Sequence, residues 1–215
     1  APSAITVQKY NLALPVNVFA GGNQTLILMS DGTLWGYGSN TYGELGLGDK
    51  IKTVSKPVKI ADSVVDASSG MYFSLFIKSD SSLWGMGNND SGQLADGTNT
   101  LRTTPVLITR GVRKALAAHG LHSFVLKRDN SLWGAGNNLV GNLGTGNTKS
   151  ANMLVKIADS VVDMNGGLGR SHFLKLNGSL WGMGAPYDGG LCINTTDLQL
   201  SPIKIMDSVS VIQRS

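Results

Sequence analysis

Four tryptophans stand in four copies of one short phrase, and their spacing constrains the fold more than any other feature of the chain. The phrase is Leu-Trp-Gly-x-Gly, and it contains Trp35, Trp84, Trp133 and Trp181. Successive tryptophans are 49, 49 and 48 residues apart. A period in the range of about 20 to 50 residues is typical of repeat architectures, in which each unit buries its apolar face against the next copy. We therefore expect one structural unit that is used four times.

Each copy also predicts a β-hairpin followed by further strands. Residues 26–29 form an apolar run before Asp31 and Gly32, and the later copies repeat this arrangement ahead of their tryptophans. Short apolar runs joined by Asp-Gly or Asn-Gly favour hairpins, because type I′ turns need positive φ at both central residues. Another apolar strand follows each phrase. The chain is thus predicted to be an all-β, β-propeller-type repeat protein with four blades of about four short antiparallel strands.

The predicted domain organisation is simple. Residues 1–16 form an N-terminal extension or pairing strand, and residues 17–215 form a single domain. Its four repeats cover about 17–65, 66–112, 113–162 and 163–212. Three forms of closure stay open: a tight four-blade ring, an open arc completed by a second chain, or a fragment of a longer parent. Because bare sheet edges are templates for pairing, we expect the terminal segments 5–10 and 202–211 to pair, within one chain or between chains.

Composition limits the classes of function. Of the 215 residues, 41% are hydrophobic and 15% are charged, which suits a packed core and not a disordered chain. The 18 Lys and Arg residues give a net charge of +4 but never form a run, so we predict no nucleic-acid partner. The single Cys192 allows no intrachain disulfide. No apolar stretch approaches the roughly 20 residues of a membrane span, so no membrane insertion is expected.

The phrase around Trp84 resembles a known family. Residues 84–94 read Trp-Gly-Met-Gly-Asn-Asn-Asp-Ser-Gly-Gln-Leu, which is similar to the bacterial-type regulator-of-chromosome-condensation repeat. The resemblance covers roughly residues 17–209. It implies a β-propeller, which in this family usually closes with seven blades, whereas this chain offers four. Guanine-nucleotide exchange, the activity of the founding member, is not expected, because that activity belongs to the complete ring.

The recurring polar residues indicate structure and not catalysis. A hydroxyl recurs in every copy, at Thr25, Ser74, Ser123 and Ser171, which suits a repeated backbone hydrogen bond better than a single nucleophile. His119 and His122 lack a third metal ligand. Residues 96–99 lack the remaining oxygen ligands of a calcium loop. We predict no catalytic residue, no metal and no cofactor, and we assign Trp35, Trp84, Trp133 and Trp181 to the structural core of the repeat.

The positions at which the four copies differ are the candidates for a functional surface. The residue before each recurring hydroxyl changes from copy to copy, as do its neighbour and the loop after the tryptophan. Dissimilar side chains on a constant scaffold are typical of a recognition surface, although neutral drift would also produce such variation. The predicted partner-binding residues are Tyr42, Tyr72, Phe73, His122, Arg170 and Tyr187.

The predicted function is noncatalytic binding of a macromolecule, or an interaction scaffold, with a protein as the partner. Glycan binding through Tyr42, Tyr72 and Tyr187 is an alternative within this class. Two further alternatives are an extracellular assembly protein that joins chains through open blade edges and a secreted enzyme inhibitor, since a propeller-type β-lactamase inhibitor also resembles this family. We expect a homo-oligomer or part of a longer propeller chain, with an extracellular or cell-surface location.

Overall fold

The structure is a computed structural model that describes residues 13–209. Within this range, sixteen strands form four antiparallel sheets of four strands, each paired in chain order. The first blade contains β1 (Pro15–Ala20), β2 (Gln24–Met29), β3 (Leu34–Ser39) and β4 (Thr53–Ala61). The second contains β5 (Val64–Ser69), β6 (Phe73–Lys78), β7 (Leu83–Gly87) and β8 (Arg102–Thr109). The prediction of an all-β repeat protein with four such blades is confirmed.

The remaining two blades repeat this order. The third contains β9 (Val112–Ala118), β10 (His122–Lys127), β11 (Leu132–Gly136) and β12 (Ala151–Ala158). The fourth contains β13 (Val161–Gly166), β14 (Arg170–Lys175), β15 (Leu180–Gly184) and β16 (Gln199–Met206). A 3-10 turn, Tyr187–Gly189, follows β15. The strand β1 begins at Pro15, so the last residues of the predicted N-terminal extension belong to the first blade.

A small hydrogen-bond relay explains why the central hairpin recurs with its tryptophan. In the first blade the Asp31 carboxylate accepts bonds from the backbone N–H and the hydroxyl of Thr33, and the Trp35 indole N–H donates to that hydroxyl. The other three blades use Ser82, Ser131 and Ser179 in the same way, with indole-to-hydroxyl distances of 2.8–2.9 Å. The relay joins the turn to the third strand, and the hydroxyl bond to Asp31 holds the pKa of that carboxyl below its usual range.

The blades pack through three apolar cores, one at each of the three seams between consecutive blades. The first seam joins Leu26, Leu28, Leu34 and Leu45 of blade 1 to Ala67, Phe76 and Met86 of blade 2. The second joins Phe73, Leu75, Ile77, Leu83 and Leu94 to Ala115, Ala117 and Val125. The third joins Phe124, Leu126, Leu132 and Leu143 to Met164, Phe173 and Met183. Blades 2 and 3 therefore each pack one face on the preceding blade and one on the next.

All four tryptophans are half-buried, and three of them, Trp84, Trp133 and Trp181, pack at the edges of these cores. Trp84 stacks on Phe76 with ring centroids 6.4 Å apart and planes 5° from parallel, and Lys78 places its ammonium 4.8 Å from the Trp84 ring. Trp133 and Trp181 also have a lysine over the ring. Trp35 differs, because Ile27 pairs opposite it and Met29 takes the place of the lysine.

The four blades form an open arc. The face of blade 1 that points away from blade 2 leaves Val18 58% and Tyr37 37% exposed, whereas the equivalent Ala67 and Met86 of blade 2 are buried. A closed four-blade ring would cover this face with blade 4. The hypothesis of a tight four-blade ring is therefore wrong. The pairing of the termini stays a prediction, because residues 5–10 and the last part of 202–211 lie outside the described residues.

Candidate functional site

One end of every blade carries the two connections that vary most between copies. They are the turn from the first to the second strand and the long loop from the third to the fourth strand. We call this end the loop face. Its turns cover residues 21–23, 70–72, 119–121 and 167–169, and its long loops cover 40–52, 88–101, 137–150 and 185–198.

A buried asparagine holds each of the first three long loops. Its side-chain oxygen accepts the backbone N–H of a leucine five residues on, at 2.8–2.9 Å, and its amide donates to carbonyls of the same loop. The three pairs are Asn40 with Leu45, Asn89 with Leu94, and Asn138 with Leu143. The fourth loop carries Pro186 at this position and lacks the lock. The first three loops are therefore fixed from within.

These loops also dock onto the next blade. The N–H groups of Gly48, Gly97 and Gly146 donate to carbonyls of the outer strands β8, β12 and β16 at 2.7–2.9 Å. Gly43 illustrates how tight the approach is, since a Cβ there would lie 2.6 Å from the Cα of Thr103. The loop face is thus a rigid surface in which each seam between blades brings one turn and one long loop together.

The structure corrects two of the predicted partner-binding residues. Phe73 and His122 are both 0% exposed. They lie on the face that each blade turns toward the next, so the variable position before the recurring hydroxyl forms blade-to-blade contacts there and not a surface. Gln24, at the same position of blade 1, is also buried, and its amide donates to the Gly70 carbonyl of blade 2 at 2.9 Å.

His122 forms a polar bridge across the third seam. The Asn142 amide lies 2.9 Å from His122 Nδ1, and His122 Nε2 lies 3.1 Å from the Ser171 hydroxyl. Since an amide N–H can only donate, Nδ1 accepts and the Nε2–H is directed to Ser171. Burial lowers the pKa of His122 from 6.5 to about 4, so the ring is neutral at physiological pH.

The recurring hydroxyls do not share one role. Ser123 donates to the Gln93 carbonyl at 2.7 Å, which is the backbone hydrogen bond that the sequence predicts. Ser171 instead contacts His122, and the buried Ser74 hydroxyl has no hydrogen-bond partner among residues 13–209. The hydrogen bonding of the recurring hydroxyl therefore differs from seam to seam, because different groups of the preceding blade lie beside it.

Two of the predicted partner-binding tyrosines meet at the first seam. The rings of Tyr42 and Tyr72 have centroids 5.0 Å apart and are tilted by 51°. Tyr42 comes from the first long loop and is 40% exposed, while Tyr72 comes from the turn before β6 and is half-buried. Together they form an exposed aromatic ridge where blades 1 and 2 join.

The other two meet on the loop face of blade 4. Arg170 is exposed, and its Nη1 donates to the Tyr187 carbonyl at 3.2 Å. Beside them a groove of about 490 Å³ runs along the third seam, lined also by Leu139, Val140 and Gly169. Tyr42 and Tyr72 thus lie at one seam, and Arg170 and Tyr187 at another, on the same end of the molecule.

Sequence reasoning missed two of the most exposed apolar residues on this surface. Leu139 is 68% exposed and Leu168 is 72% exposed, and both border the groove. A signal was present, because Leu168 stands between Gly167 and Gly169 in a turn, where it has no core to enter.

The polar side chains of the described residues show no cluster suited to metal chemistry. Within residues 13–209, no group of three or more His, Cys, Asp and Glu side chains is placed to hold an ion. Asp96 instead pairs with Arg102 at 2.6 Å and accepts a bond from the Thr98 hydroxyl. The same residues include no helix with the length and apolar character needed to cross a membrane.

Comparison with protein families identifies the repeat. The model of the regulator of chromosome condensation (RCC1) repeat matches residues 31–77, and a second model of the same repeat matches 16–44 and 64–93. Residues 16–93 are RCC1 repeats. The resemblance predicted from the tryptophan phrase is confirmed. The match at 31–77 begins in the hairpin turn of blade 1 and ends in β6, so the sequence repeat straddles two blades.

Solved structures show the same fold. Human WBSCR16 superposes with a TM-score of 0.79 and 23% identity over 93% of this chain and 54% of its own. Prp20p from Saccharomyces cerevisiae superposes with a TM-score of 0.74 and 20% identity over 89% of this chain and 51% of its own. The chain thus spans about half the length of these proteins, and the likeness concerns the fold alone. No curated protein sequence matches the chain significantly.

Proposed function

We propose that the chain is a noncatalytic protein-binding module whose RCC1 repeats present the loop face to a partner. The observation that carries the proposal is the position of exposed aromatic and apolar side chains at the seams of this face. Tyr42, Leu139, Leu168 and Tyr187 are 40–72% exposed. Tyr42 and Leu139 stand on long loops that a buried asparagine and a glycine contact with the next blade hold in place, and Leu168 and Tyr187 stand on the turn and the long loop of blade 4. Exposed apolar side chains on a rigid frame are typical of interaction surfaces, because little ordering is needed when a partner binds.

The solved relatives support a role in protein binding. The yeast Prp20p structure is described together with its binding to Gsp1p and histones, and another structure shows Kap60 bound to the same protein. Fold alone does not assign function. The partner of this chain is accordingly proposed from its own surface, and guanine-nucleotide exchange forms no part of the proposal.

The alternative hypotheses of function predict different behaviour. A glycan-binding protein would use Tyr42, Tyr72 and Tyr187 with sugars in place of a protein. An assembly protein would use the free faces at the ends of the arc, and an enzyme inhibitor would form a stoichiometric complex with its target. An extracellular or cell-surface location belongs to the proposal and is checked by cell fractionation with surface labelling.

Affinity capture with matched variants tests the proposal. The loop-face variant carries Tyr42→Ala and Tyr187→Ala. The control carries Val65→Ala and Leu176→Ala, which are 55% and 62% exposed at the opposite end of the blades. Each protein is immobilised, and captured proteins from the source cells are quantified by mass spectrometry and confirmed by direct binding with purified partner.

We expect a partner that binds the intact chain and the control equally and binds the loop-face variant at least about tenfold more weakly, the change expected when contacts worth about 1.4 kcal/mol are lost. A purified partner that binds all three proteins alike would refute the loop face as the site. Circular dichroism and thermal unfolding establish that each variant is folded.

A further inference from the structure

The groove at the third seam exists because one side chain is missing. Gly169 stands at the position that Tyr72 occupies at the first seam and Leu121 at the second. A Cβ on Gly169 would lie 3.4 Å from Val140 Cγ2 and 3.8 Å from Ala185 Cβ, which are ordinary contact distances. The position thus tolerates a side chain, and at the first seam Tyr72 fills the equivalent space against Tyr42.

The walls of this groove are apolar and exposed. Leu139 and Leu168 come from the long loop of blade 3 and the turn of blade 4, and they are the two most exposed large apolar residues among those that the structure describes. Both border the cavity of about 490 Å³, with the half-buried Val140 between the two blades. Burying both leucine side chains against a partner would remove considerable apolar area from water.

Arg170 supplies the polar group of the groove. Gly190 stands where Glu44, Gln93 and Asn142 stand in the other blades, and a Cβ on Gly190 would collide with the Arg170 guanidinium. The guanidinium therefore occupies the space of the missing side chain. The guanidinium has five N–H donors, and the Tyr187 carbonyl accepts one of them.

We propose that this groove docks a protein segment with an apolar side chain next to an acidic one. The apolar side chain lies between Leu139 and Leu168, and the carboxylate accepts hydrogen bonds from Arg170. Charge complementarity selects this occupant, since an apolar groove that ends in an arginine favours a carboxylate, with which guanidinium forms paired hydrogen bonds. The inference rests on the proposed function and specifies the chemistry of the partner at one seam.

Short peptides test this chemistry without the natural partner. The probe is acetyl-Gly-Leu-Glu-Gly-amide, and the controls replace its Glu by Gln or its Leu by Gly. Each peptide is titrated into the isotopically labelled intact chain, and backbone amide shifts are followed by NMR. We expect shifts at residues 139–141 and 168–170, with binding about three- to fivefold weaker for the Gln peptide, as partly exposed ion pairs allow, and none for the Gly peptide.

Two substitutions introduce residues that stand at the same positions in other blades, and they test whether the peptides bind in this groove. Gly169→Tyr copies Tyr72 and fills the groove, so the shifts should disappear. Arg170→Gln copies Gln24, so the protein should bind the Glu and Gln peptides equally. Leu176→Ala, at the opposite end of blade 4, is the matched control and should bind as the intact chain does. Thermal unfolding of all variants confirms that the repeats remain folded.

The outcomes separate this inference from the proposed function. Absence of shifts in the groove, equal binding of the three peptides, or unchanged binding by the folded Gly169→Tyr variant overturns the docking site. If these results accompany loss of partner capture by the Tyr42 and Tyr187 variant, only the inference fails. If the peptides bind as expected but the Tyr42 and Tyr187 variant captures the partner as well as the intact chain does, the docking groove is retained and the proposed function fails.

Discussion

At the residue scale, one position of the repeat takes a different side chain in each blade because each seam needs a different contact. Gln24 donates to a carbonyl of blade 2, Phe73 fills an apolar core, and His122 bridges to Ser171. No described blade follows blade 4, and the Arg170 guanidinium donates a hydrogen bond to the Tyr187 carbonyl of its own blade. Variation at a repeat position therefore reflects packing as readily as recognition.

The buried imidazole predicts a pH-dependent stability. The pKa of His122 falls from 6.5 to about 4 on folding, so the unfolded chain binds one more proton between these values. The stabilising effect of the neutral ring is fully present above pH 6.5 and is lost as the pH falls toward 4. One pKa unit corresponds to about 1.4 kcal/mol, so the full loss is about 3 kcal/mol.

Urea unfolding at pH 7.5 and pH 4.5 measures this effect. We expect the intact chain to lose about 2–3 kcal/mol more between these pH values than the His122→Gln variant, which carries the residue of blade 1 and does not titrate. All other titrating groups are shared by the two proteins and cancel in the comparison. Equal losses would show that His122 titrates normally in the folded state.

A second residue-scale prediction compares two tryptophans of the same phrase. Trp84 stacks on Phe76, has Lys78 over its ring and packs on the first core. Trp35 has neither partner. We expect Trp84→Ala to lower the free energy of unfolding by about 3 kcal/mol and Trp35→Ala by about 1–2 kcal/mol, since both rings are half-buried but only Trp84 also loses a stacked ring, a cation–π contact and packing on a core. Chemical denaturation checks both values, and equal losses would contradict a special role of the seam.

At the element scale, the long loops are ordered by single buried side chains. Asn89 accepts the Leu94 N–H at 2.9 Å and donates to the Thr98 carbonyl at 3.0 Å, which closes the loop on itself. The neighbouring Gly97 then pairs with β12. The loop face therefore depends on an element that has no regular secondary structure and that one buried leucine, Leu94, anchors in the core.

Replacing Asn89 by Ala should loosen this loop. The Leu94 N–H would stay buried without an acceptor, which costs about 1–3 kcal/mol. We expect the Leu94 amide to exchange its hydrogen at least about tenfold faster, since about 1.4 kcal/mol corresponds to a factor of ten. Hydrogen exchange followed by NMR gives the rate. Asn40→Ala is the matched control, which should accelerate Leu45 and leave Leu94 unchanged. No local acceleration in either variant would show that other contacts hold the loops.

At the scale of the whole molecule, the arc has two free blade faces. Blade 1 exposes Val18 and Tyr37, and blade 4 exposes Arg170 on the face that a next blade would cover. The Val209 N–H also donates to the Gly178 carbonyl at 2.9 Å, as the Val64 N–H does to Gly32 at the first crossover. The geometry that leads from one blade to the next is thus repeated after blade 4.

We expect the free faces to associate head to tail, either in a closed ring or in an open filament. Light scattering on the isolated chain should show a mass that rises with concentration. Val18→Glu should suppress association, because it places a charge on an apolar face, whereas Val65→Glu, at a similar 55% exposure elsewhere, should not. A chain lacking residues 1–12 tests the pairing of the termini. Monomers at all concentrations in every protein would rule out association.

Much of the architecture follows from the sequence alone. The tryptophan phrase, its turns and its period predict the number of blades, the hairpin in each blade and the repeat family, because these are local patterns that recur in register. Variation between copies also predicts Tyr42, Tyr72, Arg170 and Tyr187 as partner-binding residues, and the structure places all four on the loop face.

Only the tertiary structure shows which side of a strand meets a neighbouring blade. The sequence places Phe73 beside Tyr72 and His122 beside Leu121, but alternation along a strand does not reveal that both faces of an inner blade are buried. The groove at Gly169, the exposed Leu168 and the open end at Val18 likewise arise from how separate blades stack. These features depend on distances between residues about 30 or more positions apart, and a repeat pattern read along one chain does not contain them.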